Sequence, residues 1–333
     1  MSRKLPPSIW LWAFGYFAAY APYSALTKAL SEGALGARLS GSSILPLSTF
    51  TSSLGMVTFL IVSGWWRFAA TRRIFGYEVP VPTRWTLLSG LCTAAIITTT
   101  TLAYTFSGVS IVMMMLLMRG GVLIIAPIVD ALTGRRVEWF SWLGLGLTFG
   151  ALLVAVGSWH SFALSATALV DVVAYVGAYF VRLRFMSKLA KSDVANATKK
   201  YFVEEQLVAT PVAFAGLGVL ALIGEGRVLE EIRAGFTQVP FSSSALTVML
   251  IGIFSQGTGV FGALVLLDHR SNSFTVPVNR ASSVLAGVAA TATLSVWPGL
   301  SPLSGRELLA AALVTVAIVV LSLPALWKAK TPA

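Results

Sequence analysis

The sequence predicts an all-α integral membrane protein with ten transmembrane helices, arranged as two inverted five-helix repeats. The first observation behind this fold class is composition: 56% of the 333 residues are hydrophobic and only 11% are charged, with a mean hydropathy of +0.81. Soluble domains carry about 25% charged residues, which excludes that class here. The second and third observations are ten apolar stretches of spanning length and an uneven distribution of basic residues between their loops.

Each of the ten stretches approaches the roughly 20 mostly apolar residues that a spanning helix requires. The predicted spans are residues 9–30, 44–66, 85–106, 110–132, 139–157, 162–182, 201–223, 245–267, 273–296 and 308–327. The first is interpreted as a span because no small-residue cleavage site precedes its apolar run. The seventh has the weakest signal, since its start, KKYFVEEQ (199–206), is polar. Residues 224–240 predict a short amphipathic helix on the non-cytoplasmic surface.

The loop charges support this count of spans. With the N-terminus in the cytoplasm, seventeen Lys and Arg residues fall on the cytoplasmic side and five on the opposite side. Cytoplasmic loops of membrane proteins are enriched in Lys and Arg, so we expect ten spans and two cytoplasmic termini. Without the seventh span, the last three spans would have the opposite orientation, and the difference in Lys and Arg content between the two sides would disappear. The same asymmetry accounts for the net charge of +11 without a nucleic-acid partner.

The second half of the chain repeats the pattern of the first. Arg119 lies in SIVMMMLLMRGGVLIIAP (110–127) and Arg280 in SNSFTVPVNRASSVLAGVAA (271–290). In both segments a serine precedes the arginine by nine residues and small residues follow it. Each half has five spans, an odd number, so the halves enter the membrane from opposite sides, as in many secondary transporters. The predicted repeats are residues 1–158 and 159–333.

The two arginines are the main candidates for a functional site. Nine residues place each about 14 Å into its helix, roughly half of a ~30 Å hydrocarbon core. An arginine at the bilayer centre costs at least ~2.5–3.5 kcal/mol, so we expect a polar cavity or an acidic partner. Asp171 is the first candidate partner, followed by Asp130 and Glu205. If one acid neutralises one arginine, the guanidinium of the other arginine could bind phosphate or carboxylate oxygens of a ligand.

Several other side chains extend this candidate site. The predicted substrate-binding residues are Arg119, Arg280, Asn279, Tyr104, Gln256, Lys199 and Lys200, and the predicted coupling or ion-pair residues are Asp171 and Glu205. Asn279 adds a donor and an acceptor beside Arg280, and Gln256 lies in the polar patch SQGTG (255–259). Tyr104 can stack on a base or a sugar ring. Lys199 and Lys200 lie at the cytoplasmic mouth of the seventh span, where the general enrichment of basic residues on the cytoplasmic side also accounts for them.

No catalytic residue, cofactor or metal site is expected. The two histidines, His160 and His269, and the one cysteine, Cys92, are scattered along the chain. The acidic residues are dispersed as well, which disfavours a membrane-embedded enzyme. A passive scaffold is disfavoured by the cost of two buried arginines.

Two segments resemble a known family. MRGGVLIIAPIVDALTGRRVEWFSWLGLGLTFGALLVAVG (118–157) is similar to the fourth and fifth helices of the drug/metabolite transporter superfamily. FTVPVNRASSVLAG (274–287) resembles the ninth helix of its EamA and nucleotide-sugar transporter-like branch, although Ala281 stands where that branch often has a lysine. The resemblance implies alternating access around a central cavity lined by helices one, three, four, six, eight and nine.

These observations predict a secondary transporter that exchanges a small organic anion, a phosphorylated metabolite or a nucleotide-sugar. The alternative is a proton-coupled exporter of neutral or amphipathic metabolites or drugs, with Asp171 or Glu205 carrying the proton. The expected partners are the substrate and the lipid bilayer, with a homodimer left open. Sixteen arginines against eight lysines suggest a GC-rich genome and a bacterial inner membrane, with Golgi or another endomembrane as the alternative.

Overall fold

The computed structural model describes residues 9–103, 106, 111–134, 139–156, 166–192, 194–270, 272–296 and 305–328. Eleven α-helices dominate these ranges. They are α1 (Ile9–Ser31), α2 (Gly41–Ser63), α3 (Arg84–Ala103), α4 (Ile111–Leu132), α5 (Trp139–Val156), α6 (Ala166–Leu189), α7 (Ala197–Ile223), α8 (Arg227–Thr237), α9 (Ala245–Leu266), α10 (Asn272–Leu294) and α11 (Gly305–Lys328).

Ten of these helices coincide with the ten predicted stretches, and α8 is the short helix expected within residues 224–240. Among the described residues, α2, α3, α6, α7 and α9 are long and apolar enough to cross a membrane. The composition and these helices together indicate an all-α, membrane-embedded protein. The main difference in bounds is α6, which continues to Leu189 rather than ending near residue 182.

A β-hairpin that the sequence did not predict connects α2 to α3. Strands β1 (Thr71–Ile74) and β2 (Tyr77–Pro80) pair antiparallel, and Phe75 and Gly76 between them both have positive φ. A two-residue turn with two positive φ angles matches the natural twist of a hairpin. The buried Glu204 carboxylate on α7 accepts hydrogen bonds from the backbone N–H of Ala70 (3.0 Å) and of Thr83 (3.3 Å). One acid therefore fixes both ends of the hairpin segment.

Helix packing follows the same plan in both halves of the chain. α1 packs on α9 and α10, while α6 packs on α3 and α4. α2 packs on α9, while α7 packs on α3. α4 contacts α10 and α5 contacts α11, so the helices that carry Arg119 and Arg280 meet directly.

A hydrogen-bonded latch joins α4 to α10 at the end of the bundle where α4 finishes and α10 begins. The Asp130 carboxylate accepts hydrogen bonds from Asn272 Nδ2 (2.9 Å), from the Ser273 backbone N–H (3.0 Å) and from the Ser273 hydroxyl. A carboxylate at a helix N-terminus satisfies N–H groups that have no intrahelical acceptor. Asp130 thus binds the start of α10, and does not act as the arginine partner considered from the sequence.

Two glycines let helices from opposite halves approach closely. A Cβ on Gly252 of α9 would lie 2.3 Å from the Ser48 carbonyl oxygen of α2. A Cβ on Gly90 of α3 would lie 2.5 Å from Val208 Cβ of α7. Small residues at such crossings are typical of membrane helix packing.

We predict that Gly252→Ala destabilises the protein, because the added methyl would collide with backbone that cannot move independently of α2. Overpacking of this kind costs about 1–3 kcal/mol. Gly216→Ala in α7 is the matched control, since nothing lies within 4 Å of its added Cβ and alanine favours helix. Thermal unfolding in detergent should show a lower midpoint for Gly252→Ala and an unchanged or higher one for Gly216→Ala. Equal midpoints for the two variants would contradict the close crossing.

Candidate functional site

A polar cavity of about 70 Å³ lies at the centre of the helix bundle. Side chains from α1, α2, α3, α4, α6, α7, α9 and α10 line it. They include Arg119, Arg182, Tyr179, Gln256 and Asn279, together with several serine and threonine hydroxyls. A volume of this size holds a few water molecules or a small polar solute.

Arg119 is buried between a tyrosine of α1 and a tyrosine of α6. Its Nη2 donates a hydrogen bond to the Tyr20 hydroxyl on α1. Its Cζ lies 5.1 Å from the Tyr20 ring centroid and 5.0 Å from the Tyr175 ring centroid on α6. Aromatic faces attract a cation, and the attraction is stronger where water is excluded.

Arg280 occupies an equivalent position against the same helix α6. It is 0% exposed, its Nη1 donates to the Tyr175 hydroxyl (3.0 Å), and its Cζ lies 4.6 Å from the Tyr179 ring centroid. Its Nε and Nη2 find no hydrogen-bond partner among the described residues. No carboxylate in the described ranges lies within ion-pair distance of it.

The two predicted arginines therefore meet at one side chain, Tyr175. Asp171, the acid first considered as their partner, lies one turn before Tyr175 on α6 and is 6% exposed. It forms no ion pair with any residue that the structure describes, and its Oδ2 has no hydrogen-bond partner there. Asp171 is therefore not the ion-pair partner of Arg280, and tyrosines contact both arginines.

A third buried arginine, Arg182, was missed by the sequence analysis, which counted it with the cytoplasmic loop residues. Its Nε and Nη2 donate to the two Glu205 oxygens at 2.8 and 2.7 Å. Glu205, which is 0% exposed, also accepts hydrogen bonds from Ser89 Oγ (2.7 Å) and the Tyr201 hydroxyl (3.1 Å). Glu205 was predicted as a coupling or ion-pair residue, and here it is an ion-pair residue.

One sequence signal could have identified Arg182. Tyr175, Tyr179 and Arg182 follow each other at intervals of four and three residues, which places all three on one face of α6. That face points towards the two predicted arginines. This span was predicted to end near residue 182 because a charged side chain usually marks the membrane surface. The ion pair with Glu205 allows Arg182 to stay buried, so α6 continues beyond it.

The two predicted amides line the cavity. Gln256 Oε1 accepts a hydrogen bond from Ser52 Oγ (3.0 Å), which joins α9 to α2. Asn279 Nδ2 donates to the Gly262 carbonyl (3.0 Å), and its Oδ1 has no partner among the described residues. Tyr104, the remaining aromatic candidate, lies outside the described residues.

The two predicted lysines lie apart from the cavity. Lys199 Nζ is 4.6 Å from the Phe68 ring centroid and 5.6 Å from that of Trp65. Lys200 Nζ lies 3.9 Å from Glu204 Oε1, and its side chain is half exposed. Their role in substrate binding stays a prediction. In the described part of the chain, no group of three or more His, Cys, Asp or Glu residues is placed to hold a metal ion.

Comparison with known proteins supports the fold and leaves the function open. Neither a protein-family model nor a curated protein sequence matches the chain. Among 20 similar chains of known structure, one described only as "Crystal structure of protein" aligns with a TM-score of 0.58 and 15% sequence identity. The alignment covers 96% of this chain and 98% of the other. A likeness at this identity concerns the fold alone.

We predict that Glu205→Gln strongly destabilises the protein, because Arg182 would stay buried without a carboxylate. Removing one member of a buried ion pair costs about 3–5 kcal/mol. Glu230→Gln, on the exposed face of α8, is the matched control and should leave the unfolding midpoint unchanged. Chemical unfolding in detergent micelles measures both variants. Equal stabilities would show that the pair contributes little.

Proposed function

We propose that this protein is a secondary transporter of small organic anions, built like members of the drug/metabolite transporter superfamily. The observation that carries the proposal is the convergence of Arg119 and Arg280 on Tyr175, together with the polar cavity that Arg119 lines. The resemblance to that superfamily comes from the sequence segments around these two arginines, and no protein-family model matches the chain.

The charge of the site favours an anion. Arginine stays protonated in proteins, and its fork of N–H donors fits phosphate and carboxylate oxygens. No carboxylate of the described ranges lies within ion-pair distance of Arg280. Arg280 in addition retains two buried nitrogens without a hydrogen-bond partner in the described part of the chain. An anion bound in the cavity would contact Arg119, which lines it, whereas Arg280 is not among the lining residues.

The size of the cavity favours a small phosphorylated metabolite over a nucleotide-sugar. Pockets for drug-sized ligands measure about 300–1,000 Å³, whereas this cavity measures about 70 Å³. Its tyrosine, serine and threonine hydroxyls suit a polar, hydroxylated substrate.

The packing supports ten spans in two inverted repeats that move by alternating access. The equivalent neighbours of α1 and α6, and of α2 and α7, are those expected of such repeats. In the described parts of α4 and α10 the one acidic residue is Asp130, so the opposite end of their contact has no carboxylate latch within these ranges. Thr291, eleven residues after Arg280 as Asp130 is after Arg119, has a buried hydroxyl without a partner among the described residues. Among the described residues, the end at Asp130 is the one where side-chain hydrogen bonds hold α4 against the start of α10.

The basic loops support an orientation with both termini in the cytoplasm. In that orientation the Asp130 latch closes the cytoplasmic end. We retain the bacterial inner membrane as the proposed location, with an endomembrane as the alternative.

A second candidate function is proton-coupled export of neutral or amphipathic metabolites. Asp171 favours it, because this buried carboxylate has an oxygen without a hydrogen-bond partner in the described ranges. Glu205 is the weaker candidate for carrying a proton, since Arg182 holds both of its oxygens. Transport that follows an imposed pH gradient and is lost in Asp171→Asn would favour this alternative.

We predict that Arg119→Gln and Arg280→Gln each reduce anion exchange at least tenfold, because each removes charge-assisted hydrogen bonds worth about 1.5–3 kcal/mol. The assay measures uptake of radiolabelled phosphate and of small phosphate esters into liposomes loaded with the unlabelled compound. Arg72→Gln, an exposed arginine on the hairpin, is the control and should exchange like the wild type. Uptake that is unchanged in both buried variants would refute the proposal.

A further inference from the structure

The β-hairpin between α2 and α3 exposes aromatic rings and arginines that the proposed function does not use. Phe75 in the turn is 98% exposed and Tyr77 on β2 is 78% exposed, and Arg72 and Arg73 on β1 are exposed as well. Large apolar side chains that stay exposed next to one another mark an interaction surface. None of these four residues is among those that line the central cavity.

The attachment of the hairpin places it at the level of the membrane surface. It connects the end of α2 to the start of α3, two helices that are long and apolar enough to cross a membrane. Glu204 on α7 holds the backbone N–H groups of Ala70 and Thr83, so both ends of the hairpin stay against the helix bundle. Trp66 before the hairpin and Trp85 after it are each 43% exposed. Tryptophan is enriched where membrane helices meet the headgroups.

The strand register separates two faces of the hairpin. Arg72 lies opposite Val79, and Arg73 lies opposite Glu78. Successive side chains of a strand point to opposite faces, and directly opposed side chains share a face. Arg72, Tyr77 and Val79 therefore share one face, whereas Glu78 lies on the other face beside Arg73. The first face combines a cation with an aromatic ring and an aliphatic side chain, which suits the boundary between headgroups and acyl chains.

The charge of the whole segment selects the partner. Residues 64–85 carry four arginines and one acidic residue. In the orientation proposed above, this segment lies on the cytoplasmic side, where the leaflet carries anionic lipids that attract basic segments. A second copy of the chain would bring like charges together, so it fits this surface less well than an anionic bilayer does.

We infer that the hairpin docks on anionic phospholipids of the surrounding bilayer. Phe75 inserts its ring between the headgroups, and Arg72 and Arg73 bind the phosphate oxygens, which match the donor geometry of a guanidinium. This inference goes beyond the proposed function and does not depend on it.

Hydrogen–deuterium exchange of the full chain measures the docking, because amides of a docked hairpin exchange only when it opens. The protein is placed as one copy per nanodisc, in discs of phosphatidylcholine alone or of equal parts of phosphatidylcholine and phosphatidylglycerol. A basic residue near an anionic surface strengthens binding about fivefold. With two arginines, we expect the amides of β1 and β2 to exchange about tenfold or more slowly in the anionic discs. High salt should remove most of this difference, because it screens the charges.

The double variant Arg72→Gln/Arg73→Gln tests the contribution of charge. It should lose most of the difference in exchange between the two kinds of disc, because two of the cations near the headgroups are gone. Arg227→Gln on α8 is the matched control, since its side chain is 91% exposed and lies outside the hairpin. The control should keep the wild-type difference in the β1 and β2 amides.

The variant Phe75→Asn tests the insertion of the ring. Asparagine adopts positive φ readily, so the turn is retained while the apolar side chain is lost. The β1 and β2 amides should then exchange about tenfold faster in both kinds of disc, since burial of a phenyl ring no longer holds the hairpin. Phe241→Asn, which replaces another highly exposed ring outside the hairpin, should exchange there like the wild type.

Equal exchange of the wild type in the two kinds of disc would overturn the preference for anionic lipid. A difference that survives in the double variant would overturn the assignment of Arg72 and Arg73. Wild-type exchange in Phe75→Asn would overturn the insertion of the ring. None of these measurements involves transport, so their failure leaves the proposed function intact. Unchanged anion exchange in Arg119→Gln and Arg280→Gln would refute that function and leave the docking of the hairpin intact.

Discussion

The structure depends on how three guanidinium groups are accommodated inside a bundle of apolar helices. Moving such a charge out of water is costly, and the cost is recovered only through close partners. Arg182 is matched by Glu205, a carboxylate with four donors. Arg119 and Arg280 are instead surrounded by tyrosine rings and hydroxyls. The first arrangement is a structural ion pair, and the second places the Arg119 guanidinium at the cavity, as the proposed anion site requires.

The packing of α4 on α10 explains why Arg119 and Arg280 lie together. Arg119 and Arg280 each follow the first residue of their helix by eight positions, and α4 packs directly on α10. Helices that run in opposite directions and carry a residue at equal depth bring those residues to the same level of the bundle. Close crossings at Gly90 and Gly252 let α3 and α9 approach their partners in the same way in both halves. The site is thus a consequence of the packing.

The sequence predicted the helices well because a spanning segment must be apolar for its whole length, and this signal does not depend on tertiary contacts. Arg119 and Arg280 were identified for the same reason, since a charge within such a run stands out. Arg182 was missed because it lies where a span was expected to end, and only its contact with Glu205, 23 residues later, keeps it buried. The hairpin at Phe75 was missed because its two strands are four residues each and its ends are held by Glu204, far along the chain.

The Asp130 latch and the buried arginines together determine how the proposed transporter would cycle. To change its exposure, the bundle must open at the Asp130 latch and close at the opposite end, near Thr291. During that proposed movement the cavity would be shielded from water on both sides, and a buried guanidinium such as that of Arg280 would then be most costly. A bound anion removes that cost, so the loaded protein crosses the intermediate more easily than the empty one. A carrier that moves only when loaded exchanges one anion for another, and the buried charge of Arg280, which has no carboxylate within ion-pair distance in the described ranges, is the physical reason for exchange in the proposed mechanism.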